Sequence, residues 1–247
     1  MGDMSIYAIG DIHGHLRKLQ DVHGWIEKDQ QKYGPGTVVH VGDYTDRGPD
    51  SRGVVQYLID GIGAGQDWIC LKGNHDRMMA YYLEPEPRRD PRLRAEYDWL
   101  HPNLGGIETL RSYGVDTKQS AAERHNQARA LVPEDHRRFL EDLPLTWMNP
   151  NILIVHAGIR PGVPLDQQAE VDLVWIRDEF HFSRADHGRL VIHGHTPVED
   201  VFHYGNRINI DTGAAYGGPL SAIVWDDGRV FRVTKRGRVE LKPPERR

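Results

Sequence analysis

The chain of 247 residues contains a single cysteine, Cys70. An internal disulfide framework is therefore excluded, and the composition suits a reducing compartment. There is no excess of positive charge either: 31 Lys and Arg stand against 36 Asp and Glu, for a formal net charge of −5. No general basic field exists to draw in nucleic acid or an anionic membrane, so neither is expected as a partner and any anionic substrate must be captured by local chemistry. No apolar run approaches the 18 or so residues of a membrane span. The N-terminal segment shows neither a basic region nor a signal-type apolar stretch, because strand-like Ile6-Tyr7-Ala8-Ile9 begins almost at once, and a cytoplasmic location is the expectation. Met1-Gly2 is not read as a myristoylation signal, since Ile6 stands where Ser or Thr is required. What the sequence has in unusual number is histidine, 14 in all.

Short β-branched or apolar runs, each ending in Gly and Asp, alternate with amphipathic stretches through the first third of the chain, which is βαβα patterning. The runs Ser5 to Ile9, Thr37 to Val41 and Trp68 to Leu71 read as strands. Leu16, Leu19, Val22 and Ile26 keep helical spacing within a helix from Leu16 to Gln31, and further helices are expected over Ser51 to Ile62 and from His75 onward. Residues 84 to 138 interrupt the alternation, with Pro85, Pro87 and Pro91 in a run carrying Arg88, Arg89, Arg92 and Arg94. Helix-compatible sequence follows this run to about Ala130, and the stretch reads as a helical insert, either a solvated excursion or a cap facing the substrate. After Pro144, Ile152 to Val155 and Leu190 to Ile192 are strand candidates. Arg207 to Ile210, Leu220 to Trp225 and Val230 to Val233 suggest a terminal meander turning at Asp227-Gly228, with a flexible tail over about 240–247. The expectation is one domain over 1–247.

Chemistry-bearing residues cluster where the strands end. Gly10-Asp11-Ile12-His13-Gly14 follows the first strand, placing a carboxylate and an imidazole at the usual ligand location of an open α/β sheet. The second strand ends in Gly42-Asp43-Tyr44-Thr45-Asp46-Arg47-Gly48. Adjacent strand ends would bring Asp11 and Asp43 close together, and such a carboxylate pair is stable only with a cation between. Arg47 offers a planar fork suited to phosphate. Gly73-Asn74-His75-Asp76 adds an amide oxygen and an imidazole, and Val155-His156 and His193-Gly194-His195-Thr196-Pro197 each put histidine after an apolar run. Oxygen and imidazole donors without thiolate favour Mn, Fe or Zn in a reactive rather than a structural site.

These five blocks, in this order, resemble the phosphoprotein phosphatase family of metal-dependent phosphatases. The compact form with Ile210-Asp211-Thr212-Gly213 is most similar to its bacterial and phage Ser/Thr phosphatases, over about Tyr7 to Trp225. The resemblance implies a metallophosphoesterase-like four-layer α/β/β/α sandwich with two mixed sheets and a helical insert. It implies two divalent ions, Mn2+ first and Fe or Zn as alternatives. Asp11 and His13 would bind one, Asn74, His156 and His195 the other, and Asp43 would bridge them. Arg47 and Arg177 would hold phosphate oxygens, and His75 would be the general acid, oriented by Asp46. His193 is expected outside the ligand set. The implied reaction is hydrolysis of a phosphoprotein or small phosphomonoester by direct attack of a metal-bound hydroxide on phosphorus.

Rival readings are weaker. A cysteine-dependent phosphatase would need arginine six positions after Cys70, where Asp76 stands, and Gly61-Ile62-Gly63-Ala64-Gly65 precedes a strand and is read as a turn rather than a dinucleotide loop. Symmetrical diadenosine tetraphosphate hydrolases share these motifs, including the Gly-Asn-His-Asp form at Gly73 to Asp76, and stand as the alternative substrate class. A non-catalytic scaffold that has kept a metal site is the remaining reading.

Overall fold

The computed structural model describes residues 4–245. The Met1-Gly2 pair and the Arg246-Arg247 end of the expected tail lie outside the described residues. Two mixed sheets form the centre. The first contains β1 (Ser5–Ile9), β2 (Gly36–His40), β3 (Trp68–Cys70), β9 (Ala222–Asp226), β10 (Arg229–Thr234) and β11 (Gly237–Glu240), in the order β11-β10-β9-β1-β2-β3. The second contains β4 (Thr146–Met148), β5 (Ile152–Val155), β6 (Leu190–His193), β7 (Phe202–His203) and β8 (Arg207–Asn209), in the order β4-β5-β6-β8-β7. The pairs β1·β2, β2·β3, β5·β6 and β6·β8 are parallel, and the others antiparallel.

Strand alternation makes the layers. Ile6, Ala8, Val39 and Val41 face Ile152, Ile154, Ile192 and Ile208 in an apolar layer between the sheets. The opposite faces of the same strands turn outward to helices. Tyr7, Ile9 and Val38 pack with residues of α1 (Leu16–Tyr33), α2 (Ser51–Gly63) and α3 (Asn74–Leu83), whereas Leu153, Val155 and Val191 pack with Leu173, Ile176 and Phe180 around α7 (Glu170–Trp175) and α8 (Asp178–His181). Strands buried on both faces read as continuous apolar runs, which is why the central ones were visible in the sequence. The result is the expected α/β/β/α sandwich.

One sequence expectation changes. Arg207 to Ile210 does not join a terminal meander: β8 pairs with β6 in the second sheet, while β9, β10 and β11 form hairpins on the first. The Asp227-Gly228 turn stands, with φ of 47° and 76°, as a two-residue hairpin of this hand requires. In the interrupting segment the Pro- and Arg-bearing residues 84–105 hold no α-helix, and the helices follow them as α4 (Gly106–Ser112), α5 (Ala121–Leu131) and α6 (Glu134–Asp142). Among the described residues no helix is long and apolar enough to cross a membrane.

Candidate metal centre

The C-terminal ends of β1, β2, β3, β5 and β6 converge on one edge, so Asp11, Asp43, Asn74, His156 and His195 follow strands of both sheets. Sharp turns aim them. Among the described residues, six non-glycines adopt left-handed φ, and five of these are His13, Asp43, Asp46, Arg47 and His195. Such backbone is unfavourable for residues with a Cβ and persists only where surroundings enforce it. Here Asp76 does so: its carboxylate accepts from the N–H groups of Asp43 (2.7 Å), Tyr44 (2.9 Å) and Gly73 (3.0 Å), tying the turn after β2 to the start of α3. Gly42, at φ 111°, allows the approach, since a Cβ there would stand 2.6 Å from Gly73 N.

Asp43 is the centre of the arrangement. Its Oδ2 lies 3.4 Å from His13 Nε2 and its Oδ1 3.5 Å from His156 Nε2. The tautomers follow from the partners. His13 Nδ1–H donates to the Thr45 carbonyl at 2.7 Å, and the Arg47 guanidinium, which can only donate, reaches His13 Nε2 at 2.7 Å. His156 Nδ1–H donates to the Val41 carbonyl at 2.9 Å. Both Nε2 atoms therefore carry lone pairs that face carboxylate oxygens. Asn74 Oδ1 lies 2.9 Å from His156 Nε2 and 2.8 Å from His195 Nδ1, while the buried His195 Nε2 has no hydrogen-bond partner. Donor atoms of His13, Asp43 and His75 lie within 4.8 Å of one another, as do those of Asp43, His156 and His195, with Asp43 common to both groups.

The electrostatics match. Burial, then the charges of Asp211 and Asp43, raises Asp11 well above the ordinary carboxylate range. Burial pushes Asp43 up to about 7, against the pull of the His75 N–H and Arg47. Burial also lowers His156 to about 4. Clustered carboxylates held above their ordinary range beside imidazoles held neutral are the donor set that a divalent cation relieves, and two such groups sharing one carboxylate fit two cations. Asp11 is placed differently from the others. Both its oxygens accept from the His195 N–H, at 3.0 and 3.3 Å, and a Cβ on Gly194 would overlap Asp11 Oδ1.

Beside this centre, His75 Nδ1–H donates to Asp46 Oδ2 at 2.6 Å, leaving Nε2 as its free ring nitrogen. Burial pushes Asp46 up, against the hydrogen bonds from Trp99 and Thr109, and burial with the Arg47 charge pushes His75 down. Arg47 is half-buried and Arg177 exposed at the mouth, where Arg177 Nη1 donates to Thr196 Oγ1 at 3.2 Å. His193 turns away, with Nε2 3.2 Å from Arg207 Nη1 and its ring edge-on to Phe180. Sequence reasoning gave no role to Asp76, Asp211, Trp99 or Thr109. An acidic residue at the third position of α3 is a capping signal that could have singled out Asp76. Asp211, quoted only as a motif residue, is buried, and its charge adds to the upward push on Asp11.

The model of the calcineurin-like phosphoesterase family matches residues 4–225. The chain is 26% identical over 258 residues to the asymmetrical bis(5'-nucleosyl)-tetraphosphatase PrpE of Bacillus thuringiensis (strain Al Hakam), covering 93% of this chain and 94% of the relative. It is 25% identical to the protein of the same name from Oceanobacillus iheyensis, over 94% of this chain and 93% of the relative. Among solved structures, the cold-active protein-tyrosine phosphatase of a psychrophilic Shewanella species superposes with a TM-score of 0.64 at 17% identity, covering 98% of this chain and 81% of that one.

Proposed function

The chain belongs to the calcineurin-like phosphoesterase family and is a metallophosphoesterase, and from that premise we propose that it hydrolyses dinucleoside polyphosphates at a two-cation site. The observation that carries the site is the division of Asp43, whose Oδ2 faces His13 and whose Oδ1 faces His156. His13 and Asp11 would hold one divalent ion, Asn74, His156 and His195 the other, and Asp43 both. Two bound cations supply Lewis-acid polarisation and an activated water for in-line displacement at phosphorus. Mn2+ suits the oxygen and imidazole donors, as do Fe and Zn.

The chain's own residues do the rest. Arg47 exchanges its hydrogen bond to His13 for a phosphate oxygen, and Arg177, at the mouth, takes another. His75, anchored through Nδ1–H on Asp46, presents Nε2 to the leaving oxygen, and its imidazolium form, which the Asp46 carboxylate favours, would give that oxygen the Nε2 proton and be left neutral. The substrate class rests on relatives that match end to end and bear the name of asymmetrical bis(5'-nucleosyl)-tetraphosphatases.

A Ser/Thr phosphoprotein is the second reading, and the His75–Asp46 pair favours it. A nucleotide leaves as a stable anion, whereas the alkoxide of serine needs a proton, so an elaborate proton donor is more useful on the monoester. The Gly42 to Gly48 block, with its resemblance to protein phosphatases, points the same way. Parallel assays with diadenosine tetraphosphate, a phosphoserine peptide and a chromogenic phosphomonoester in Mn2+ decide it. ATP plus AMP from the dinucleotide, at a catalytic efficiency well above that for the peptide, is expected. Two ADP would place the cut symmetrically, and faster turnover of the peptide would overturn the substrate assignment.

A further inference from the structure

Asp46 anchors the proposed proton donor, yet both other partners of its carboxylate come from the segment after α3. Its Oδ2 accepts from Trp99 Nε1–H at 2.8 Å, beside the bond from His75 Nδ1–H. Its Oδ1 accepts from Thr109 Oγ1–H at 2.8 Å, and its own N–H donates back to Thr109 Oγ1 at 2.7 Å. The same segment continues onto the next residue, where the Gly105 carbonyl accepts from Arg47 N–H. Asp46 and Arg47 have φ of 75° and 66°, backbone that must be enforced from outside.

We propose that Trp99 and Thr109 are positioning residues for His75, and that the segment from 84 onward braces the proton donor from behind. Trp99 is 5% exposed, and its ring also packs on Tyr82 and over Gly106. Packing alone would ask only for an aromatic ring. The indole N–H adds a donor that cannot accept, aimed at the oxygen that anchors His75. With both donors in place the carboxylate cannot rotate about its terminal torsion and release the imidazole. Removing one leaves His75 in place for part of the time, so the loss falls on the step that needs a proton.

This rests on the hydrolytic reading above, and the test separates the two. In the Mn2+-loaded full chain, kcat/KM is measured on p-nitrophenyl phosphate, whose leaving group departs without much help, and on a phosphoserine peptide, whose alkoxide needs a proton. Trp99→Phe keeps the ring and drops the N–H. It is expected to lose about tenfold on the peptide and under about twofold on the aryl ester, in the same direction as a larger, roughly hundredfold split for His75→Gln. In the metal-free protein, the downfield proton resonance of His75 Nδ1–H is expected to broaden through faster exchange with water in Trp99→Phe. Equal losses on both esters, no loss on either, or an unchanged resonance overturns the proposal. If Trp99→Phe fails to fold, Thr109→Val, which removes only a hydroxyl hydrogen-bond partner, carries the same expectations and the same refutations. A wild type inert toward both esters and toward diadenosine tetraphosphate defeats the hydrolytic reading instead, while the resonance still judges the brace.

Discussion

Asp43 turns its two oxygens toward different imidazoles, and no other described residue belongs to both ligand groups. Its replacement should therefore act on both cations at once. Asp43→Asn is expected to lower metal content from about two per chain to under one, read by elemental analysis after dialysis against limiting Mn2+. Retention of one tightly bound ion would contradict bridging. Gly194 gives a second test at this scale. A Cβ there would overlap Asp11 Oδ1, and that carboxylate can yield only by leaving the His195 N–H, so Gly194→Ala should cost on the order of 1–3 kcal/mol. Urea denaturation of the metal-free protein measures it, and an unchanged midpoint would refute the close approach. The ligand-type residues were legible because Gly-Asp and Gly-Asn-His immediately after an apolar run announce a strand end. Trp99 and Thr109 were not: an indole in an irregular loop and a threonine in a short helix have no periodicity or motif that points to a carboxylate 53 and 63 positions away.

Between elements, α2, α1 and β2 are joined by a buried polar chain whose protons can be placed. His40 Nδ1 faces the Ile69 carbonyl at 3.2 Å and so carries a hydrogen. His40 Nε2 then accepts from His23 Nε2–H at 2.9 Å, and His23 Nδ1 accepts from Tyr57 O–H at 3.0 Å. Both imidazoles are neutral in the fold. Burial lowers His40 to about 4, and burial together with His40 lowers His23 to about 2, against about 6.5 in the unfolded chain. A histidine with a depressed folded value binds its proton first when unfolded, so its contribution is complete above pH 6.5 and drains away as pH falls toward the folded value. At pH 5 His40 alone should cost about 2 kcal/mol relative to pH 7.5. Urea melts of wild type and His40→Gln at the two pH values test this. The wild type should lose more stability than the variant, and parallel losses would contradict it. The helices carrying this chain were legible from apolar spacing, but sheet membership was not. Arg207–Asn209 looks locally like the strands of the terminal hairpins, and only its pairing with β6 assigns it to the other sheet. β7, two residues long, offered too little pattern to detect.

The whole molecule is two half-sandwiches closed over a shared apolar layer, and the candidate metal centre lies at one end of that seam. Asp11, His13 and Asp43 follow strands of the first sheet, whereas His156 and His195 follow strands of the second. The seam is already crossed there by the bond from His156 Nδ1–H to the Val41 carbonyl and by the one from the His195 N–H to Asp11. Elsewhere dispersion and apolar burial hold it, as between Val39, Val41, Ile154 and Ile192. Ile154→Ala should thus destabilise both halves together, by about 2–5 kcal/mol, in a single transition. Cations bound at the end of the seam would join the halves through bonds absent from the unfolded chain, so their binding energy becomes folding energy. At a free concentration a thousandfold above the dissociation constant the gain is about 4 kcal/mol per ion. Thermal unfolding in EDTA and in saturating Mn2+ should differ accordingly, with the midpoint rising in proportion to the logarithm of free Mn2+. In Asp43→Asn most of that rise should vanish, while the metal-free midpoint stays at or above that of the wild type, because the substitution removes a buried carboxylate that burial and Asp211 push up. A variant that keeps the full Mn2+ increment would show that the ions stabilise some other part of the molecule and that the seam closes without them.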